Sequence, residues 1–526
     1  MPAPLLMTAP FLMAAPFLMN TPHNSLPARF APHPFPSAGV NPDGPQSWTN
    51  RGNLWHQAGD HSQAATCYQQ AVEIDPTAAQ AWFNLGVVRT LTGELDLALA
   101  AYRQAISTRP RFARAYNNAG ILLQTCGDAR GAVSYYRHAS LADPHYADPH
   151  YNSGLLAFAA ANFTAAERAY KRALHLKPSH AEARNNLGNT LLELGRAREA
   201  RRCFETVLAA VPQHPEARWN LGFTQLLLGD YAAGWSNYEW RLAQAGRGQA
   251  ERGPIGRGQA ARWQGQPLEG HPLLLWNEQG LGDAIQFARF IPAVQARGAA
   301  VHLETAPPLE RLFASLACQL VAPSSNLATA WQLPLLSLPA LFDTRLDTIP
   351  PAPYLTATAN HRSKFRALLA ETLPPGDLRV GLAWSGNPHH QRDQQRSLPP
   401  RLIPSLTASF RGDLPGVSFV SVQRGAPPPG VVTFDDYIAD FADTAGLMAN
   451  LDLIVSVDTA AAHLAGALGL PVWLLLSYAP DFRWLLDRED SPWYPSMRLF
   501  RQRRLGDWSH LLARVRTELV ARRSAL

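Results

Sequence analysis

Six glycines, Gly52, Gly86, Gly120, Gly154, Gly188 and Gly222, follow one another at a constant interval of 34 residues. Five prolines keep the interval (Pro76, Pro110, Pro144, Pro178 and Pro212), and so do Tyr68, Tyr102, Tyr136, Tyr170, Phe204 and Tyr238. Small residues recur with them, at Ala64, Ala98, Ala132, Ala166 and Ala200, and again at Ala71, Ala105, Ala139 and Ala173. A fixed period of this length marks a solenoid, whose units bury their apolar faces only by stacking on neighbours.

Residues 79–112 show how one unit works. A first helix carries Trp82, Leu85 and Gly86; a second carries Leu95, Ala98, Leu99, Tyr102 and Ala105 at helical spacing. Gly86 and Ala98 predict a close approach of the two helices, with Tyr102 filling the space beside them. Pro110 prevents the second helix from continuing. Over residues 45–242 the array resembles the tetratricopeptide repeat family, in six registers. The sixth copy departs, with Gly234 and Arg241 where alanines are expected and no closing proline, as a capping repeat would.

Two residues before each periodic glycine stands an asparagine: Asn50, Asn84, Asn118, Asn152, Asn186 and Asn220. On the first-helix face they predict a ladder along the concave groove. A side-chain amide both donates and accepts, so it can pair with a peptide backbone regardless of sequence. The column resembles the asparagine ladder of the eukaryotic O-linked GlcNAc transferases, which implies a protein or peptide partner in the groove. Asparagine bonding between helices is the alternative.

The 526 residues leave room for three or four folded units. A hydrophobic fraction of 46% against 17% charged excludes a mostly disordered chain. A net charge of +6 without a dense basic run does not point to a nucleic-acid binder. Cys67, Cys126, Cys203 and Cys318 form no CxxC pair and no zinc spacing, and fit a reducing, cytoplasmic compartment. His145, His150, His389 and His390 fall in expected loops without carboxylates at ligand spacing, so no metal is expected. Residues 1–44 read as a Pro-rich, disordered leader. Prolines recurring in its apolar part would break a spanning helix, and no basic residue precedes that part.

After a Gly-, Arg- and Gln-rich linker at 243–270, an α/β pattern begins. Strand 273–276, a glycine turn, helix 284–297 and strand 300–304 make one βαβ unit. Strands at 379–384, 417–423, 451–457 and 471–476, and helices at 459–468 and 507–520, make a second region. The expected architecture is an α-solenoid followed by two α/β halves, 271–376 and 377–526. Ligands bind such sheets at the carboxyl ends of their strands.

Ser456-Val457-Asp458-Thr459-Ala460-Ala461-Ala462-His463 is a strand end running straight into a helix. The first-turn N–H groups and the helix dipole favour an anion, Thr459 adds a hydroxyl and His463 lies one turn in. Asp458 or Thr459 as a plain N-cap is the alternative. The segment is similar to the D-T-G-x-x-H-x-A motif of glycosyltransferase family 9, the bacterial heptosyltransferases of GT-B fold, with Ala460 replacing the glycine. The resemblance implies a nucleotide-sugar donor whose diphosphate sits at Asp458, Thr459, Ala460 and His463. Gly280-Leu281-Gly282-Asp283 matches the Gly-Asp turn that carries the family's proposed general base, which implies that role for Asp283, or a helix cap; Glu278 is the spare carboxylate. Weaker matches place Arg396 (after Trp384-Ser385-Gly386-Asn387-Pro388 and Asp393), Gln423 and Asp443 near the donor. Trp484 and the run Asp490-Ser491-Pro492-Trp493-Tyr494-Pro495 resemble bacterial proteins that join these repeats to a family-9-like domain.

The expectation from this resemblance is an inverting, metal-independent, nucleotide-sugar-dependent glycosyltransferase without a cofactor, directed by its solenoid to a protein or peptide. A lipopolysaccharide or other glycan acceptor is the second expectation. A non-catalytic scaffold with a degenerate domain is the third, favoured by Ala460.

Overall fold

The computed structural model describes residues 43–244, 260–322, 329, 331–388, 392–407 and 416–525. The expected leader, but for its last two residues, and residues 245–259 of the expected linker lie outside them. The chain forms two compact units, divided between Thr190 and Leu191.

The first unit is a helical-repeat solenoid of tetratricopeptide type. Its pairs are Pro45–Gln57 with His61–Ile74, Ala79–Leu91 with Leu95–Thr108, Ala113–Thr125 with Ala129–Ala142, and Asp148–Ala159 with Phe163–Leu176. The periodic glycines act through contact. A methyl added at Gly52, Gly86, Gly120 or Gly154 would fall 2.5–2.7 Å from a ring carbon of Tyr68, Tyr102, Tyr136 or Tyr170. Those tyrosines are buried, and Tyr68 and Tyr136 donate at 2.7 Å to Asn53 and Gln124. A second glycine column, missed by the sequence reading, closes the turn inside each pair. Gly59, Gly93 and Gly127 have φ between +82° and +84°, where a side chain is strained; in the same register Ala161 takes φ +54°.

The second unit begins within the helix Ala181–Glu193. The helices Ala197–Ala210, Pro215–Leu227 and Tyr231–Tyr238 are followed by two sheets in which all paired neighbours run parallel. The first sheet comprises β1 (Ala261–Arg262), β2 (Pro272–Trp276), β3 (Ala300–Glu304), β4 (Gln319–Val321) and β5 (Trp331–Pro334), in the order β1-β5-β2-β3-β4. The second comprises β6 (Leu378–Ala383), β7 (Val417–Ser421), β8 (Val431–Val432), β9 (Leu453–Val457), β10 (Val472–Leu476) and β11 (Met497–Arg501), in the order β11-β10-β9-β6-β7-β8. Every residue of β9 and β10 is buried, as parallel strands covered on both faces require. The strand order reverses between β2 and β5 and between β6 and β9, the places where such sheets open a crevice. The fold of this region is α/β.

Several expected boundaries shift. The linker does not extend to 270, because β1 pairs with β5 and Trp263 is buried. The helix expected over 284–297 is split into Leu281–Phe287 and Ile291–Gln295, with a 3₁₀ turn between and Pro292 opening the second piece. The compact units do not divide at 242, where the expected repeats end: the last helices of the array belong to the compact unit of the sheets. No helix among the described residues is long and apolar enough to cross a membrane.

The atypical sixth copy now has a physical reason. Arg241, buried, donates to Glu278 at 2.5 Å and to Ser337 at 2.9 Å, and pairs with Glu239. Trp235 donates its indole N–H to the Thr344 carbonyl at 2.9 Å. The terminal repeat thus ends in polar and aromatic anchors for the first sheet, where an ordinary repeat would present alanines to another repeat.

Candidate functional site

The turn after β2 leads into the helix Leu281–Phe287. Asp283 occupies its third position and accepts from the Gly280 N–H at 2.9 Å, so it caps the helix. Its other oxygen accepts from Arg483 at 2.5 Å. A methyl at Gly282 would lie 3.0 Å from the His463 ring and 3.4 Å from the Ala460 Cα. A side chain at Gly282 would press on the His463 ring, so the glycine eases the close approach of the two strand-end turns, one from each sheet. Glu278, the other carboxylate of this turn, is half-buried and anchors Arg241, so it is committed to the terminal repeat.

The opposing turn follows β9. Thr459 is the N-cap of the helix Ala460–Ala467 and makes no side-chain cap bond; its hydroxyl lies 3.4 Å from that of Ser456. Asp458 is half-buried, and burial together with the nearby Asp481 charge pushes its carboxyl up to about 6. Arg396 donates to the Asp458 carbonyl at 3.3 Å and to Asp393 at 3.3 Å, which brings this expected residue to the turn. The loop that carries Arg396 is pinned by Arg392, which donates to the Ala479 carbonyl at 2.8 Å and to Glu193 at 3.3 Å.

His463 lies deeper than expected for a ligand-facing residue. It is 6% exposed, stacks on Trp484 with ring centroids 5.4 Å apart, and places Nδ1 3.0 Å from the Tyr494 hydroxyl. Its Nε2 is 3.9 Å from Asp458. Burial, with the positive charge of Arg483, Arg289 and Arg396, holds its pKa well below the usual value, so the ring is neutral.

The sequence reading missed the residue that ties these groups together. Arg483 donates to Asp283, to Asp481 at 2.8 Å and to the Gln286 side chain. Burial opposes its charge, but Asp481 and Asp283 hold it fully protonated. Its chain neighbour Phe482 is wedged against Phe223, Trp235 and Tyr238, with ring centroids 5.3–5.9 Å apart. Arg483 directly precedes Trp484, which the sequence did single out; nothing local marks it as a partner of Asp283.

Three other expectations are corrected. The Gln423 amide accepts from the Trp384 and Ser385 N–H groups at 2.7 and 3.0 Å and donates to the Ser385 hydroxyl at 2.9 Å. It therefore holds the loop after β6: both lone pairs of its oxygen and one of its two amide N–H groups are committed there. Asp443 neither caps nor faces solvent: Asp440 is the N-cap of the helix Phe441–Met448, and buried Asp443 binds Arg311 and Lys364, each at 3.0 Å. These bonds join the first half to the second.

The asparagine ladder is also largely consumed within the fold. Asn84 donates to Asn53 at 3.0 Å, Asn152 to Asn117 at 2.9 Å and Asn186 to the Tyr151 hydroxyl at 3.3 Å. Each bond reaches back one repeat. Asn118 accepts from Asn117 at 3.5 Å and Asn50 from Gln46 at 3.0 Å. Asn152 and Asn220 are 4% and 3% exposed, and among the six only Asn50 is exposed. Asn84, Asn152 and Asn186 thus stitch first helices together, while Asn84, Asn118 and Asn186 remain half-buried.

The crevice thus gathers an uncapped helix start, a neutral histidine, three carboxylates and two arginines from the segments after β2, β6, β9 and β10. Such a set can hold an anion beside a carboxylate. Among the described residues no group of three His, Cys, Asp or Glu is arranged to hold a metal ion.

Comparison with known proteins bears on the repeats. Residues 26–251 match the family model of the cilia and flagella-associated protein 70 C-terminal domain, a tetratricopeptide model. The chain is similar to Protein FlbA of Caulobacter vibrioides, with 30% identity over 287 residues, 47% of this chain and 46% of FlbA. The match therefore spans less than half the length of that relative. Among solved structures, PilF of Pseudomonas aeruginosa aligns over 39% of this chain and 92% of its own, at 22% identity and a TM-score of 0.35. PilW, a type IV pilus biogenesis factor, aligns over 40% and 95%, at 23% identity and the same TM-score.

Proposed function

We propose that this tetratricopeptide-repeat protein is a nucleotide-sugar-dependent glycosyltransferase with a GT-B-like pair of α/β halves, acting on a protein or peptide acceptor. The observation that carries the reading is the meeting of two strand-end turns across the crevice, with Gly282 against Ala460 and His463. In this reading the donor diphosphate lies at the first turn of the helix Ala460–Ala467, where N–H groups, the helix dipole and Arg396 meet its charge. The acceptor hydroxyl attacks the anomeric carbon and loses its proton to Asp283; the bond to the diphosphate breaks and the configuration inverts. A carboxylate has about four lone-pair sites, so Asp283 retains capacity beyond the Gly280 and Arg483 bonds.

The non-catalytic scaffold reading is favoured by one specific pair: Arg483 already neutralises Asp283. A panel of nucleoside-diphosphate sugars separates the two. The full chain is screened for thermal stabilisation and for release of free nucleoside diphosphate with a peptide library as acceptor. A donor at ten times its dissociation constant stabilises by about 1.4 kcal/mol. Turnover supports the transferase; binding without turnover, or no binding at all, favours the scaffold.

A further inference from the structure

We propose that Tyr494 fixes His463 as the Nε2–H tautomer, so that this N–H is presented to an anion at the turn after β9. The identity of the anion as a donor diphosphate rests on the reading above; the tautomer does not.

Three geometric facts converge. The Tyr494 hydroxyl is 3.0 Å from His463 Nδ1 and 3.4 Å from the Tyr354 hydroxyl. Tyr354 spends its own proton on the Ile285 carbonyl at 3.0 Å and accepts from Arg289 at 3.3 Å. Tyr354 thus has no proton to give Tyr494, and on the proposal the Tyr494 hydroxyl donates to the nearer group, Nδ1; a neutral imidazole with Nδ1 accepting carries its hydrogen on Nε2. On the other side of the ring Nε2 lies 3.9 Å from an Asp458 oxygen. An N–H there meets a carboxylate favourably, whereas a lone pair would be repelled.

The hydroxyl is itself held. Arg289, buried, sits 4.6 Å from the Tyr494 ring centroid and 4.7 Å from that of Tyr354, and donates to the Trp493 carbonyl at 2.8 Å. The Trp493 indole is fixed in turn by the Tyr231 hydroxyl at 2.9 Å. Tyr494 is a positioning residue: it acts on the anion through His463, without touching it.

The test is ¹⁵N NMR of the full chain with labelled histidine. The His463 signal is the one of 17 that His463→Gln removes. The parent should show Nε2 protonated and Nδ1 accepting; an Nδ1–H or charged ring would overturn the inference, without any need for a variant. Tyr494→Phe should yield mixed tautomers, while Tyr354→Phe should leave the ring unchanged. The same variants are then titrated with ADP, UDP and GDP. Tyr494→Phe should weaken whichever binds the parent by about tenfold, the loss of one hydrogen bond to a charged group. A changed tautomer with unchanged affinity overturns the presentation step. If none of the three binds the parent, the donor reading fails while the spectrum still decides the tautomer.

Discussion

Arg483 donates to Asp283 at 2.5 Å, so the carboxylate that caps the helix after β2 is paired with a cation from the segment after β10. Two strand ends from different sheets are thereby joined by one ion pair, its arginine buried and its carboxylate half-buried. Removing one partner of such a pair leaves the other uncompensated, which costs more than the pair contributes.

Asp283→Asn tests the pair and the chemistry together. Asn caps about as well as Asp, and Arg483 keeps Asp481, so the fold should survive with a loss of about 1–3 kcal/mol in chemical denaturation. On the transferase proposal turnover should fall by about 10²–10⁴-fold. Near-full turnover in this variant would mean the base lies elsewhere.

The acid response of the protein should carry two opposed contributions from one turn. The pKa of His463 is lower folded than unfolded, so as pH falls through its usual 6.5 the unfolded chain takes up the proton first and stability is lost. The Asp458 carboxyl is raised in the fold, from an ordinary 3.8 to about 6, so the folded chain takes up its proton first. Stability is then gained as pH falls from about 6 toward 3.8. In His463→Gln only the second contribution remains. Urea denaturation across that window should show the parent losing ground to the variant as pH drops below about 6.5; parallel curves would mean that His463 is not neutral in the fold.

The asparagine column should respond by position. Asn152→Ala strands the buried Asn117 oxygen and should cost about 1–3 kcal/mol, whereas Asn50→Ala, at an exposed site, should stay within about 0.5 kcal/mol. Equal, small losses at both, with weakened capture of a peptide partner, would restore the groove reading.

Ala161 stands in a register where Gly59, Gly93 and Gly127 take positive φ. Ala161→Gly should raise stability by about 0.5–1 kcal/mol, because the left-handed conformation costs an L-residue about 1–2 kcal/mol and glycine returns part of that as unfolded-chain entropy. A drop in melting temperature would mean that the turn is not strained by its methyl.

How much of this was legible in the sequence depended on the distance between partners. Gly86 and Tyr102 are 16 positions apart within one helical pair, so their contact repeats with the chain and is read as a period. The glycine column at 59, 93 and 127 repeats as plainly, but its cause is backbone sign, and a non-glycine at 161 interrupts it. The turns holding Asp283 and Asp458 were found because strand, turn and helix are local patterns. Arg483 was missed because it bonds Asp283 across 200 residues, which no local pattern encodes. The asparagines were visible as a column, but the residue type does not say whether an amide faces a groove or the next helix.

Phe482 and Arg483 are adjacent in the chain yet belong to different walls: one is wedged among Phe223, Trp235 and Tyr238, the other reaches Asp283. For the history of such genes this sets where a crossover is tolerated. A fusion joint placed after Tyr238 would separate Phe482 from Phe223, Trp235 and Tyr238, the rings that steady the neighbour of the central arginine. By this packing, the last repeats and the sheets are one building block.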